Sequence, residues 1–390
     1  MIAIRTAFAA SLITLTAFVQ TAAPADKIFD PGVMHQTLLV MDPADWKSLQ
    51  DNFRENQYYA ANVSIDGDVI EQIGVRSRGA GSRSGTKPAV KLDFNKYVKG
   101  QHFHGLKSVA VKNLVQDVSM LRDFLAMSVF EGMGLPAPAY SFTRLTVNGE
   151  YWGVYNLVES IDGPFVSARF GESDGNVIKY DYSVPYDFGD RGGDAAAYVP
   201  APFKPETNEE TFNGDALVKF IQAANGGTDE ALVSELSKYT DVPRLLTYLG
   251  IENALAETDG FLGAEGMNNF YFYQMNGTTK FVIIPWDKNT SFKAAQWPIL
   301  NNVDRNILAK RLLGIAAQKQ IYLDAAKSAA TRFVNLGFLG PKLDAAFNLI
   351  RNDVLADTKK PFSNQAFEDG VGGLRGVIDG RRADVFAQAP

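Results

Sequence analysis

Residues 269–287 read NFYFYQMNGTTKFVIIPWD, and this stretch decides how the rest of the chain is interpreted. Two runs of aromatic and β-branched residues flank the dipeptide Asn276-Gly277, which strongly favours a two-residue hairpin turn. With such a turn, Asn269 falls opposite Ile284, and Asp287 follows three residues later. At about 3.3 Å per residue, the side chains of Asn269 and Asp287 are expected to reach one point, within about 10 Å of each other.

Asp259 stands ten residues before Asn269, after a predicted helix over residues 242–257. An aspartate, an asparagine, a short hairpin and a second aspartate follow one another in this order in kinase catalytic sites. There the first aspartate takes the proton of the acceptor hydroxyl, and the other two residues hold magnesium against the phosphates. Hard oxygen ligands suit magnesium or manganese. Each residue also has an ordinary explanation, such as a loop cap for Asp259, a strand start for Asn269, or an ion pair with Lys288 for Asp287.

The N-terminal half carries a second candidate phosphate site. Residues 76–85 form a loop rich in Gly, Ser and Arg, and residues 87–94 then alternate with period two, which puts Lys87 and Lys91 on one face of a strand. Backbone amides in such a loop can surround phosphate, and a lysine on the strand can neutralise it. A Gly/Ser-rich loop is equally typical of a plain linker.

The order of predicted elements indicates an α+β chain with segregated halves rather than a doubly wound sheet. Hairpin turns are predicted at Asp66-Gly67 and Asn148-Gly149, and an amphipathic helix over residues 117–133 lies between them. Residues 181–214 are rich in Asp, Gly and Pro and indicate a long loop or insertion. The chain beyond about residue 304 is mostly helical in pattern.

Composition excludes several classes of function. The net charge of -6 argues against generic nucleic-acid binding, which needs a basic surface. The absence of cysteine excludes thiol nucleophiles, cysteine metal sites and disulfides, and three histidines are too few for a histidine-rich zinc site. A glycan-acting hydrolase needs two carboxylates flanking a sugar, and no such pair stands out.

The first 25 residues differ from the rest. A single Arg5 precedes an apolar run over residues 7–19, and small residues follow at 21–25, which is typical of a cleaved secretory signal. A buried N-terminal helix is the alternative. No later stretch approaches the roughly 20 apolar residues of a membrane span. We therefore expect an exported chain without a transmembrane segment, in a periplasm, at a cell surface or secreted.

The chain resembles the CotH family of spore-coat-type atypical secreted protein kinases over roughly residues 35 to 350. The pairing of an Asn-Gly-x-Tyr-x-Gly-x-Tyr segment with a Pro-Trp-Asp segment is fairly specific for this family. The resemblance rests on Arg78-Gly79 with the Ser-rich turn and Lys87; on Asp117 with Leu121, Arg122 and Asp123; on residues 147–155 (VNGEYWGVY) with Glu159; and on residues 269–273 and 284–287.

The resemblance implies an atypical protein-kinase-like fold of two lobes. A mixed antiparallel-sheet N-lobe with a Gly-rich loop and one helix would cover residues 26–160, and a mainly helical C-lobe would cover residues 161–390. It also implies ATP with Mg²⁺ or Mn²⁺ as cofactor, and transfer of phosphate to Ser or Thr of secreted or envelope proteins. A non-catalytic surface or envelope assembly protein on the same scaffold is the alternative.

The resemblance also implies roles for individual residues. It makes Asp259 the catalytic aspartate, Asn269 and Asp287 the metal ligands, and Lys87 the phosphate lysine, with Lys91 in reserve. Arg78 would belong to the phosphate loop, Glu159 would contact the nucleoside or hold the lobes, and the acidic partner of the lysine would be Asp117, Asp123 or Glu131. Two departures bear on activity, since Asp259 and Asn269 are ten residues apart rather than about five, and Asn289 stands where the family usually has an acid.

Overall fold

The structure is a computed structural model and describes residues 24–182 and 185–389. The expected signal peptide, residues 1–25, lies almost wholly outside the described residues. A 3-10 helix over Pro24–Phe29 leads into the first strand. Of the helices described, none combines the length and the apolar character that crossing a membrane requires.

In the described part of the chain, seven strands close into a barrel in the order β1-β2-β3-β4-β5-β7-β6. Neighbouring strands are antiparallel except β1 and β6, which are parallel. The predicted mixed antiparallel sheet is therefore a closed barrel, because β1 pairs on both of its edges. The strands are β1 (Met34–Met41), β2 (Tyr59–Ile65), β3 (Asp68–Ser77), β4 (Val90–Asp93), β5 (Ser108–Lys112), β6 (Tyr140–Val147) and β7 (Glu150–Glu159).

The two predicted hairpins of this half are confirmed. Asp66 and Gly67 have φ of 53° and 92°, and Asn148 and Gly149 have φ of 50° and 85°. Tight hairpin turns need positive φ at both central residues, which Asn, Asp and Gly supply at low cost.

Two helices accompany the barrel, α1 (Pro43–Asp51) and α2 (Arg122–Gly132). The prediction of an amphipathic helix from residue 117 was wrong in its start and in its character. Asp117 caps the helix instead, since its carboxylate accepts hydrogen bonds from the backbone of Arg122 (2.8 Å) and Ser119 (3.0 Å). Every residue over 123–130 is buried, because α2 packs between the barrel and helices of the second half.

The second half is mainly helical but also contains a four-stranded sheet in the order β11-β10-β8-β9. Two of its strands fall outside the predicted hairpin, and β9 lies inside the stretch 181–214 that was expected to be a loop. The strands are β8 (Asn176–Tyr180), β9 (Phe203–Pro205), β10 (Phe270–Gln274) and β11 (Phe281–Pro285). The helices are α3 (Gly163–Phe170), α4 (Asp215–Asn225), α5 (Asp229–Leu236), α6 (Val242–Ala254), α7 (Ile307–Gly314), α8 (Ala316–Arg332), α9 (Leu339–Ala356) and α10 (Asn364–Gln388).

The C-terminal end of α9 docks onto β7 of the barrel. The Asp357 carboxylate accepts hydrogen bonds from Lys87 Nζ (2.6 Å) and from the Val154 backbone (3.2 Å), and both charged side chains are fully buried. Gly153 has φ of 109°, and a Cβ there would lie 2.1 Å from Asp357 Oδ2. Only glycine therefore allows this close approach of helix end and strand.

Replacing Gly153 by alanine is expected to lower the free energy of unfolding by about 2–5 kcal/mol. Left-handed strain of about 1–2 kcal/mol adds to overpacking of about 1–3 kcal/mol. The matched control is Gly149→Ala, because Gly149 also has positive φ but nothing lies within 4 Å of its Cβ position. Urea denaturation should show only the strain cost in the control. Equal losses in the two variants would contradict the docking of Asp357 against Gly153.

Candidate active site

The hairpin of β10 and β11 has a longer loop than its Asn-Gly dipeptide predicts. Phe270 pairs with Pro285, and the Met275 backbone N–H donates to the Lys280 carbonyl (3.0 Å), so the predicted two-residue turn was wrong. The register moves by two residues and brings Asn269 next to Trp286, whose N–H donates to the Asn269 carbonyl (3.2 Å). Asp287 directly follows Trp286, so this pairing brings Asn269 and Asp287 close together in space.

Asp259 is joined directly to Asn269. The side-chain amide of Asn269 donates to the Asp259 carbonyl oxygen and to its Oδ2, both at 2.9 Å. The neighbouring amide of Asn268 donates to Asp259 Oδ1 (3.0 Å). Burial raises the pKa of Asp259, the Asn268 hydrogen bond opposes this rise, and the negative charge of Asp287 adds to it. The structure thus brings Asp259, Asn269 and Asp287 together.

Asp287 shares a lysine with helix α2. Lys112, the last residue of β5, contacts Asp287 Oδ1 (2.6 Å) and the carboxylate of Asp123. Burial opposes ionisation of Asp287, but Lys112 outweighs it with help from Arg78, so the pKa of Asp287 lies below its usual value. Burial alone would lower the pKa of Lys112, yet the two carboxylates raise it. Lys112 is therefore a charged bridge between barrel, helix and hairpin.

Asp123 also fixes the backbone beside Asp287. Its Oδ1 accepts the backbone N–H of Lys288 (2.8 Å), and its Oδ2 accepts the hydroxyl of Tyr140 (2.9 Å). Of the three acidic residues considered as partner of the lysine, Asp123 is the one in ion-pair contact with Lys112. Asp117 caps α2 instead, and Glu131 is exposed.

Lys112 was not among the residues that the sequence analysis selected. A signal was present, since Val109-Ala110-Val111-Lys112 resembles the Val-Ala-Ile-Lys strand that carries the phosphate lysine of kinases. The two lysines selected instead lie elsewhere: Lys87 is paired with Asp357, and Lys91 Nζ lies 3.8 Å from Asp93. Within the described residues, neither contacts Asp259, Asn269 or Asp287.

A small cleft opens in front of Lys112. Arg78 lies on its wall, with its guanidinium 5.2 Å from the centre of the Trp286 ring. Among residues 24–182 and 185–389, that guanidinium forms no hydrogen bond or ion pair. We refer to this cleft as the Lys112 cleft. It is lined by Arg78, Ser82, Ala89, Lys112, Asn113, Leu114, Val115, Gln116, Asp117, Asp123, Asp287 and Asn289.

The oxygen donors at the edge of this cleft suit a divalent metal that is also held by phosphate. Because the Asn269 amide nitrogen donates to Asp259, its Oδ1 points away from that contact, and within the described part of the chain it accepts no hydrogen bond. Asn269 and Asp287 have φ of 55° and 50°, in the left-handed region that asparagine and aspartate enter more readily than most other residues with a Cβ. Over residues 24–182 and 185–389, no three His, Asp or Glu side chains gather as a metal site of their own. Magnesium needs only one or two carboxylates when phosphates complete its shell.

Glu159 ends β7, where the barrel continues into α3. Its Oε2 accepts the backbone N–H of Ala139 (3.0 Å) and the guanidinium of Arg169 (2.7 Å), so it ties the end of the strand to α3. Three residues later, burial raises the pKa of Asp162 to about 7; Lys91 opposes the rise, and the charge of Glu159 adds to it. The Asp162 carboxylate accepts a hydrogen bond from Ser108 (3.3 Å).

Asp162 should make stability depend on pH. Between about pH 3.8 and about pH 7, the Asp162 carboxyl is protonated in the folded protein but ionised in the unfolded chain, because its pKa is raised from 3.8 to about 7 on folding. Stability therefore falls as pH rises through this window. Asp162→Asn should be about as stable as the native protein near about pH 4 and about 4 kcal/mol more stable near about pH 8, since the pKa of Asp162 rises from 3.8 to about 7 and one pKa unit equals about 1.4 kcal/mol. Urea titrations at both pH values measure this, and parallel stability curves would contradict it.

Two spore coat proteins agree with the resemblance found in the sequence. Inner spore coat protein H of Bacillus subtilis is 22% identical over 343 residues, which cover 85% of this chain and 90% of that protein. Spore coat protein homolog 1 of Rhizopus delemar is 20% identical over 360 residues, again 85% of this chain, and the match spans 56% of that longer protein. The crystal structure of the Helicobacter pylori proinflammatory kinase CtkA aligns with a TM-score of 0.34 and 11% identity, over 77% of this chain and 92% of that one.

The family model described as CotH kinase protein matches residues 75–385. This match begins within β3 and ends within α10, so it covers most of the barrel and the whole of the second sheet with its helices. The chain belongs to the CotH kinase family.

Proposed function

We propose that this protein is a metal-dependent phosphotransferase that moves the terminal phosphate of ATP to serine or threonine hydroxyls of exported proteins. One observation carries the proposal: Asp259, Asn269 and Asp287 meet beside the Lys112 cleft although the chain separates them widely from Lys112. A core ion pair would explain Lys112 and Asp287 alone. It would not explain why Asp259 and Asn269 lie beside them, or why Arg78 lines the same cleft with no ion pair to another described residue.

Asp259 is the residue placed to handle the proton of the acceptor hydroxyl. Amides from Asn268 and Asn269 fix the direction of its carboxylate. Burial raises the pKa of Asp259, and a carboxylate of higher pKa is a stronger base for a hydroxyl proton. A pre-oriented base of this kind is worth about 10²–10⁴-fold in rate.

Lys112 and Arg78 are the cations placed to bind phosphate oxygens. Asp123 holds Lys112 at the end of β5, so the ammonium group is pre-positioned rather than free to rotate. Arg78 lies over the Trp286 ring, and its fork of N–H donors suits two phosphate oxygens at once.

Asn269 and Asp287 are the oxygen donors that would hold Mg²⁺ or Mn²⁺. A divalent ion bound there would neutralise negative charge on the phosphate oxygens during transfer. Asp287 is the stronger ligand of the two, because its carboxylate carries a negative charge and the Asn269 amide is neutral.

Exported substrates are supported by two observations. The composition of residues 1–25 is of the secretory type, and two relatives are named as spore coat proteins. A serine-containing protein of the envelope, the coat or the medium is therefore the proposed acceptor.

A non-catalytic binding protein on the same scaffold is the second candidate. Asn289 favours it, because this residue lines the Lys112 cleft with a neutral side chain where the family usually has an acid. A weaker metal site would bind nucleotide without transferring phosphate.

Asp287→Ala and Asp259→Asn together separate the two candidates. The native protein should be stabilised against heat by ATP with Mn²⁺, and Asp287→Ala should lose this shift because it lacks the main metal ligand. Asp259→Asn should keep the shift but lose about 100-fold or more of phosphate transfer from radiolabelled ATP. Equal thermal shifts in the native protein and Asp287→Ala would remove metal-dependent nucleotide binding through Asp287. A native shift without any transfer would favour the binding protein.

Lys112→Met and Lys87→Met test which lysine serves phosphate. Lys112→Met should weaken the ATP-dependent thermal shift and cut phosphate transfer by the folded fraction at least about 100-fold. It should also destabilise the fold by about 3–5 kcal/mol, because Asp123 is left buried without its cation. Lys87→Met should destabilise the fold by about 3–5 kcal/mol, because Asp357 is left buried without its cation. The folded fraction of Lys87→Met should still respond to ATP with Mn²⁺. The reverse result would return the phosphate role to Lys87.

A further inference from the structure

Besides the Lys87–Asp357 pair and the contacts of Lys112, another buried ion pair lies next to the candidate active site. Lys288 Nζ contacts Glu252 Oε1 at 2.6 Å, and the side chains are 0% and 2% exposed. Removing two charges from water is costly, and apolar residues of similar size often replace such pairs without loss of stability. The pair therefore calls for an explanation other than stability.

Glu252, on α6, holds the loop that follows Asp259. Its two carboxylate oxygens accept the backbone N–H groups of Phe261 (3.1 Å) and Leu262 (3.3 Å). A Cβ at Gly260 would lie 2.4 Å from Glu252 Oε1, so the carboxylate lies against the backbone one residue beyond Asp259. A carboxylate can accept from a lysine and two amides at once, which no neutral side chain of this size can match.

Lys288 holds the other two residues of the site. Its Nζ donates to the Asn269 carbonyl (2.9 Å), and its own backbone N–H is fixed by Asp123. The ion pair thus contacts the segment after Asp259 and the backbone of Asn269. Lys288, one of its two members, is also the residue that follows Asp287 in the chain.

We propose that the Glu252–Lys288 pair is a positioning device that keeps Asp259, Asn269 and Asp287 in mutual register for phosphate transfer. The inference rests on the proposed function and adds two positioning residues that do not themselves touch substrate or metal. A displacement of about 1 Å between reacting groups costs on the order of 10²-fold in rate. Loss of the pair should therefore lower kcat far more than it changes nucleotide affinity.

A neighbouring buried acid makes a similar bridge without an ion pair. Glu257 accepts the backbone N–H of Asp259 (2.7 Å) and the hydroxyl of Ser291 (2.5 Å). It joins the same loop to the same segment beyond Asp287. The contacts of Glu257 with Asp259 and Ser291 do not involve the side chains of Glu252 or Lys288. Variants of that pair should therefore lose alignment without losing the whole site.

Glu252→Gln, Lys288→Met and the double variant separate positioning from a structural role. Each single variant leaves a buried charge without its partner, so each should be less stable than the native protein. The double variant removes both charges and should recover stability. If the pair positions the site, all three variants lower kcat at least about 10-fold with KM for ATP within about 3-fold, and the double variant does not recover kcat.

Leu343→Ala in α9 is the matched control. Leu343 is fully buried, and its truncation destabilises the fold by a cavity without touching Asp259, Asn269 or Asp287. Its kcat should equal that of the native protein below its melting temperature. This control shows that lost stability alone does not lower kcat.

Amide hydrogen exchange gives a readout that does not need activity. The N–H groups of Phe261 and Leu262 should exchange at least about 10-fold faster in Glu252→Gln and in the double variant than in the native protein. A double variant with native kcat and native exchange at residues 261–262 would overturn the inference. If the native protein neither transfers phosphate nor shows a thermal shift with ATP and Mn²⁺, the proposed function is wrong. In that case the exchange rates alone decide whether the pair holds the loop.

Discussion

Lys112 carries a positive charge into the interior between two carboxylates, Asp123 from α2 and Asp287 after β11. An unpaired ammonium there would cost several kcal/mol of desolvation, so the barrel strand, the helix and the hairpin end must come together in one arrangement. Asp123 reinforces that arrangement by accepting the backbone N–H of Lys288. The position of Asp287, and through it the candidate metal site, therefore depends on a charge supplied by the barrel.

The elements around this contact leave it little freedom. Helix α2 is buried along residues 123–130, so Asp123 cannot move outward without opening the core. The residues after Asp287 are fixed by Glu252, in the last turn of α6, and by Glu257, three residues beyond the end of that helix. Two left-handed residues, Asn269 and Asp287, are tolerated because these contacts over-determine their backbone. The site is assembled by packing from three sides rather than by any one loop.

Features set by neighbouring residues could be predicted from the sequence, and features set by distant ones could not. The turns at Asp66-Gly67 and Asn148-Gly149 were predicted correctly, because positive φ at both positions is a local demand. The turn at Asn276-Gly277 was placed in the wrong register, since the Met275–Lys280 pairing closes a four-residue loop instead. The sequence grouped Asp259, Asn269 and Asp287 by their order along the chain, and the structure brings these three residues together.

Lys112 was not predicted, because its acidic partners lie outside its own strand. Lys87, Lys91 and Lys112 all lie on strands or just before them, and alternation alone does not tell which lysine meets an acid. The pairing of Lys87 with Asp357 joins residues 270 positions apart, and no local pattern announces it. The stretch 117–133 likewise appeared amphipathic, because the sequence does not show that α2 is covered on every side.

The segment that carried the family resemblance, residues 147–155, serves this long-range docking. The Tyr151 hydroxyl donates to the Asp353 carbonyl (3.0 Å), Gly153 makes room for the Asp357 carboxylate, and the Tyr155 ring lies 4.9 Å from Lys87 Nζ. Tyr151, Gly153 and Tyr155 thus meet the end of α9 or its lysine partner. In this chain the motif lysine, Lys87, therefore holds the end of α9 on the barrel. Lys112, at the end of β5, is the lysine that contacts Asp287 instead.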